Sequence, residues 1–216
     1  DTVSRTDTMM LVRVDPIESK LTLVSIPRDT MVQIEGYGTQ KINAAYAFGG
    51  AAGAVKAVQE LTGVPISHVA VVKFDGVAGI VDYLGGITVN VPVAVNDPNY
   101  TGLVLPAGEQ TMDGNTAMLF SRVRHGFANG DFQRQEDQRI VLQAILSKCL
   151  SLNVTQLPGL ADALGGLVST DMRCYELMPL LARFMITSPT IYSCSLPGTT
   201  QTVDGATACQ APDPVE

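Results

Sequence analysis

Short β-branched runs and Gly/Ala-rich helical stretches alternate along this chain, and that alternation restricts the fold more than any other feature. Thr8–Val14 and Leu21–Ile26 read as two strands joined by the turn Asp15–Lys20. Pro27 ends the second strand and leaves Arg28 and Asp29 at its tip, and Gly36-Tyr37-Gly38 marks a further turn. Gly49–Gly63 reads as a small-residue helix closed by Gly63 and Pro65. A strand at Val69–Lys73, a helix at Phe74–Leu84 and a strand at Ile87–Val91 follow, then a turn-rich excursion from Pro92 to Gly108. Helices are expected at Asp113–Phe120, Asp131–Leu152, Leu160–Val168 and Tyr175–Met185, and a late strand at Ile191–Leu196. Such alternation predicts an α/β fold, an α-β-α sandwich whose central mixed sheet carries helices on both faces, in one domain over 1–216. From Ala206 onward the chain reads as a frayed tail.

With 46% apolar and 16% charged residues the chain can bury a substantial core, and nothing suggests disorder. Its net charge of -7 argues against nucleic acid or a general anionic membrane surface as partner. Any anion site must therefore concentrate the few cations. Two histidines, and no zinc-type cysteine spacing, nearly exclude a His-rich or Cys-rich metal centre. The four cysteines fit two disulfides in an oxidising compartment, with buried free thiols as the alternative. Cys149 and Cys174 lie at helix ends that a returning chain would bring side by side. Cys194 and Cys209 flank a turn-rich stretch, so the expected pairs are Cys149–Cys174 and Cys194–Cys209. No apolar run is long enough to span a membrane, and the abrupt start reads as a segment of something longer.

Two constellations carry chemistry. Asp7 lies just before the first strand and Asp29 just after the second, so an antiparallel hairpin brings them together as oxygen ligands for a hard cation such as Mg²⁺. The alternative is that Asp7 caps a turn and Asp29 pairs with Arg28. The second is arginine: four of the nine fall between Arg122 and Arg139. Arg122 and Arg124, two apart, face one side if extended, and Asp131, Arg134 and Gln138 form one stripe on a helix that starts near Asp131. Guanidinium forks at a helix N-terminus suit pyrophosphate. A solvated face of ion pairs among Arg134, Glu136, Asp137 and Arg139 is the competing reading, and the better one for Glu136 and Arg139. The apolar helices Ala51–Leu61 and Val77–Leu84 fit core packing or a groove for a long hydrocarbon.

Five blocks, in order, resemble the LytR–CpsA–Psr proteins: R-T-D-T-M-M (Arg5–Met10), S-I-P-R-D-T (Ser25–Thr30), K-I-N-A-A-Y (Lys41–Tyr46), Y-L-G-G-I (Tyr83–Ile87), and S-R-V-R-H (Ser121–His125) followed by D-F-Q-R-Q-E-D-Q (Asp131–Gln138). The resemblance implies that Asp7 and Asp29 bind Mg²⁺, with Mn²⁺ as a substitute. It implies that Arg28, Lys41, Arg122, Arg124, Arg134 and Gln138 hold a lipid pyrophosphate, with Asp7, Asp29 and Arg28 at the chemistry. It implies a monomer outside the cell membrane of a Gram-positive-type bacterium, held by an N-terminal membrane helix that is not part of this sequence. The activity implied is transfer of teichoic acid, capsule or a similar glycopolymer from a polyprenyl pyrophosphate to a peptidoglycan hydroxyl. A non-catalytic binder of anionic wall polymer and an envelope regulator are the rival readings. The chain departs from the family in carrying Glu136-Asp137 where many members read R-Q-x-R-Q, and in its four cysteines.

Overall fold

The computed structural model describes residues 6–123, 130–197, 199–203 and 206–210. In chain order the elements are β1 (Met9–Asp15), β2 (Lys20–Ile26), β3 (Met31–Ile34), β4 (Gly38–Lys41), α1 (Ala44–Thr62), β5 (Ala70–Val72), α2 (Phe74–Tyr83), β6 (Ile87–Val91), β7 (Val95–Asp97) and β8 (Leu103–Leu105). They continue with β9 (Gly108–Met112), α3 (Gly114–Phe120), α4 (Gly130–Leu150), α5 (Leu157–Gly165), β10 (Val168–Thr170), α6 (Cys174–Thr187), β11 (Thr190–Ser195), β12 (Thr199–Val203) and β13 (Ala206–Gln210). The α/β class is as the alternation predicts. One sheet is ordered β1-β2-β11, and the other strands pair as β3-β4, β5-β10, β6-β9, β7-β8 and β12-β13. No helix among the described residues is long and apolar enough to cross a membrane.

Two compact units are present. The first draws on segments 1–13, Thr22–Val69 and 193–216, the second on Val14–Leu21 and Ala70–Tyr192. The first unit's core is Met9, Ile26, Val32, Ile42, Ala45, Ala57 and Val58, with Ala54 and Leu61 packed against it. Helix α1 begins at Ala44, earlier than its glycine-rich run suggests, because it is two helical pieces broken at Gly50 (φ 59, ψ -151). That conformation is open to glycine almost alone. Past the break the helix runs as expected to Gly63, a left-handed cap whose N–H donates to the Gln59 carbonyl at 2.8 Å.

In the second unit, the alternation of β6 sends Ile87, Val89 and Val91 inward and leaves Thr88 and Asn90 outside. They meet Ile80 and Val81 of α2, Phe120 of α3, Val141 of α4 and Leu160 of α5. Burial of each such side chain contributes about 1.5–3 kcal/mol. Ala54, Ala57, Val58 and Leu61 of α1 and Val77, Ile80 and Val81 of α2 thus pack into the core, each within its own unit.

Several expectations are corrected. The excursion from Pro92 to Gly108 contains the hairpin β7-β8, closed by Thr101 and Gly102 N–H groups on the Asp97 carbonyl. Helix α5 starts three residues before Leu160, with Pro158 in its first turn where proline fits. It stops at Gly165, so Val168 pairs with Val72 in a ladder instead of extending the helix. Residues 206–210 of the expected tail form β13, paired along its length with β12. All four cysteines are free thiols. Neither expected bridge is therefore present; in each expected pair one partner is buried (Cys149, Cys209) and the other exposed (Cys174, Cys194). Cys149 packs into the second unit's core, and burial pushes its thiol up to about 11.

Candidate active site

The turn between β2 and β3 carries Arg28 and Asp29, and backbone hydrogen bonds hold it from several directions. Thr30 N–H donates to the Pro27 carbonyl (3.0 Å), Ile42 N–H to Thr30 (2.8 Å), Asn43 N–H to Arg28 (3.2 Å) and Cys209 N–H to Asp29 (3.0 Å). The buried Thr30 hydroxyl adds a bond to the Pro27 carbonyl at 2.6 Å. The β3-β4 register sets Lys41 opposite Met31, beside the same turn. Four charged side chains therefore converge. Arg28 Nη1 donates to Asp7 Oδ1 at 3.0 Å, Arg28 Nε lies 3.6 Å from Asp29 Oδ2, and Lys41 Nζ is 2.9 Å from Asp29 Oδ1. Asp7 and Asp29 thus reach a single guanidinium, and Asp29 pairs with Arg28 as the alternative reading has it.

Among the described residues, formal charge in this cluster cancels, two carboxylates against two cations. No group of three or more His, Cys, Asp or Glu side chains gathers for a metal among the described residues. Two carboxylates brought to one guanidinium are the kind of donor that suits Mg²⁺, which takes one or two carboxylates and fills its octahedron with water and phosphate oxygens.

The arginine-rich segment belongs to the second unit. Arg122 is exposed, in the turn that closes α3 and not in an extended run, with its N–H on the Leu119 carbonyl at 2.9 Å. Its guanidinium lies over the Phe74 ring, 5.5 Å from the centroid. Arg124 lies outside the described residues, as does His125. Arg134 is 1% exposed, so it is no member of a solvated face. Gln138 is buried too, and its amide nitrogen donates to the Ser121 carbonyl at 3.0 Å, which fixes the residue next to Arg122. Asp137, expected among surface ion pairs, is 1% exposed and accepts from Gln133 Nε2 at 3.0 Å. Burial pushes its carboxyl up to about 7; the Gln133 bond opposes this and the charge of Glu136 reinforces it. Arg134, Gln135, Asp137 and Gln138 of α4 are polar and buried, a combination that periodicity does not announce.

A sequence profile of the LytR_cpsA_psr family matches residues 1–214. The chain belongs to that family. Among LytR_cpsA_psr relatives, it is 38% identical over 170 residues to the polyisoprenyl-teichoic acid–peptidoglycan teichoic acid transferase TagU of Enterococcus faecalis, covering 78% of this chain. This chain spans 55% of that relative's length. The solved structure of TagV from B. subtilis superposes with a TM-score of 0.87 at 28% identity, over 97% of this chain and 84% of that one. The structure of TagT bound to LI-WTA gives 0.80 at 28% identity, over 96% and 79%. Within the LytR_cpsA_psr fold the sequence reading missed three residues at the Asp29 turn. Thr30 and Asn43 stand inside quoted blocks, which was their signal. Cys209 had none, because its place depends on a strand read as tail.

Proposed function

We propose that this chain transfers a glycopolymer from a polyprenyl pyrophosphate to a peptidoglycan hydroxyl, with Mg²⁺ or Mn²⁺ held by Asp7 and Asp29. The reading is carried by the neutral cluster of Asp7, Arg28, Asp29 and Lys41. A cluster with no net charge accepts a divalent cation and a pyrophosphate dianion together without accumulating charge of either sign. The relatives' names supply the substrate class. A bound cation supplies charge neutralisation at the phosphoryl oxygens. Arg28 and Lys41 offer donors to the phosphate oxygens, and their carboxylate partners hold them in place beforehand, the preorganisation that electrostatic catalysis requires. Arg122 presents an exposed guanidinium whose fork fits two phosphate oxygens. The resemblance also assigns Arg124, Arg134 and Gln138 to the pyrophosphate, and Gln138 holds the Ser121 carbonyl next to Arg122. In the transfer, a new P–O bond to the acceptor hydroxyl forms as the bridging P–O bond breaks, and polyprenyl phosphate leaves. The domain acts outside the membrane, as a monomer on an N-terminal anchor.

The test is turnover of a lipid-linked glycopolymer with peptidoglycan at varied Mg²⁺. Wild type transfers in a Mg²⁺-dependent manner, and Asp7→Ala and Asp29→Ala each lose that dependence. Retention of intact pyrophosphate by the wild-type protein at saturating Mg²⁺ would make it a binder, and an unchanged titration in Asp7→Ala would make that residue structural.

A further inference from the structure

The C-terminal hairpin β12-β13 lies against the turn that carries Asp29. Thr30 and Cys209 form an isolated parallel bridge, and the Cys209 N–H donates to the Asp29 carbonyl at 3.0 Å. The other backbone bonds at this turn use the Pro27, Arg28 and Thr30 carbonyls; among the described residues, the bond from Cys209 is the backbone bond to the Asp29 carbonyl. Cys209 is 5% exposed and Thr30 1%. Burial raises the Cys209 thiol, a hydrogen bond with Thr30 opposes the rise, and the Asp29 carboxylate adds to it. Cys209 stands opposite Thr200 in the β12-β13 ladder. A strand N–H points to one edge only, and that of Cys209 points to Asp29, so its removal costs the hairpin no ladder bond.

We infer that the β12-β13 hairpin positions the Asp29 carboxylate, acting through Cys209. The inference rests on the reading of Asp7 and Asp29 as a divalent-cation site. The side-chain partners of Asp29 are the long, flexible Arg28 and Lys41, which follow a carboxylate wherever it goes. What sets the carboxylate's position is the backbone beneath it, and Cys209 ties that backbone at the Asp29 carbonyl, the atom the other bonds to the turn leave to it.

The experiment measures Mn²⁺ binding to the intact chain from the electron paramagnetic resonance of free Mn²⁺, which needs no turnover. Asp29→Ala abolishes binding. Cys209→Pro removes the N–H and weakens Mn²⁺ binding at least tenfold, while the circular dichroism spectrum stays that of wild type. Cys209→Ser keeps the N–H and a hydroxyl for Thr30, and binds within about twofold of wild type. Should Cys209→Pro not fold, an ester in place of the amide between Ala208 and Cys209, made by semisynthesis, removes the same N–H and weakens binding in its place. Loss of binding in Asp29→Ala with wild-type affinity in Cys209→Pro (or, where it is used, the ester) overturns the positioning role alone. Unchanged binding in Asp29→Ala removes the cation site, and the positioning role falls with it.

Discussion

Replacing Asp137 with asparagine exchanges a buried acid for a neutral side chain of the same shape. The bond from Gln133 Nε2 survives, since the asparagine carbonyl accepts as the carboxylate did. The folded carboxyl sits at about 7 against an ordinary 3.8, with burial as the main cause. Between those values the folded chain keeps a proton that the unfolded chain has released, so this residue lowers stability as pH rises. The shift is roughly three units at 1.36 kcal/mol each, an effect on the order of 4 kcal/mol, complete above about pH 7 and absent near pH 4. Urea unfolding of both proteins at intervals from pH 4.5 to 8 measures it. Asp137→Asn gains on the parent steadily with pH and the gain levels off near neutrality, which for a chain of this size is roughly 10 °C in melting temperature. A buried asparagine NH₂ without an acceptor would shift the whole difference by a constant and leave its slope untouched. Parallel stability curves for the two proteins would refute the argument.

Arg122→Ala lowers transfer at least tenfold in a lipid-pyrophosphate assay, while thermal unfolding moves by no more than the loss of its stacking on Phe74, about 0.5–1 kcal/mol. Transfer at the wild-type rate would take Arg122 out of the site. Gly50→Ala meets no neighbouring atom within 4 Å, so its cost is conformational alone, about 1–3 kcal/mol for a φ of 59 and ψ of -151. Urea midpoints of the two proteins read that cost directly, and equal midpoints would mean that α1 is unbroken.

Local chemistry made part of the structure legible. The β1-β2 hairpin follows from two β-rich runs and a short polar turn, closed by the Asp15 carboxylate on the N–H groups of Ile17 and Glu18. The approach of Asp7 to Arg28, beside Asp29, follows from that hairpin. The three-residue strands β7 and β8 were hidden because so short a run carries no period. Strand β13, Ala-Thr-Ala-Cys-Gln, has too little hydrophobic character to announce itself, and exists by virtue of β12 and the Asp29 turn. The burial of Arg134, Asp137 and Gln138 was illegible for the opposite reason, since polar residues at helical spacing read as a wet face. The cysteine pairing failed because counting cysteines says nothing of depth, and each proposed pair joined a buried thiol to an exposed one.

The bond between Cys209 and Asp29 joins residues from opposite ends of the described chain, and this gives the domain an order of completion. Most of the second unit is one continuous stretch, Ala70–Tyr192, which condenses from near neighbours as it is made. The first unit is assembled from three separated stretches, and its closing contact has a loop of almost the whole domain to bridge. The entropy of closing such a loop grows only with the logarithm of its length, but contacts so distant in sequence form late. A nascent chain that already displays Asp7, Arg28, Asp29 and Lys41 therefore carries their charges without their geometry until β13 has been synthesised. Competence arrives with a strand that contributes no charge of its own, which makes the site a property of the finished chain.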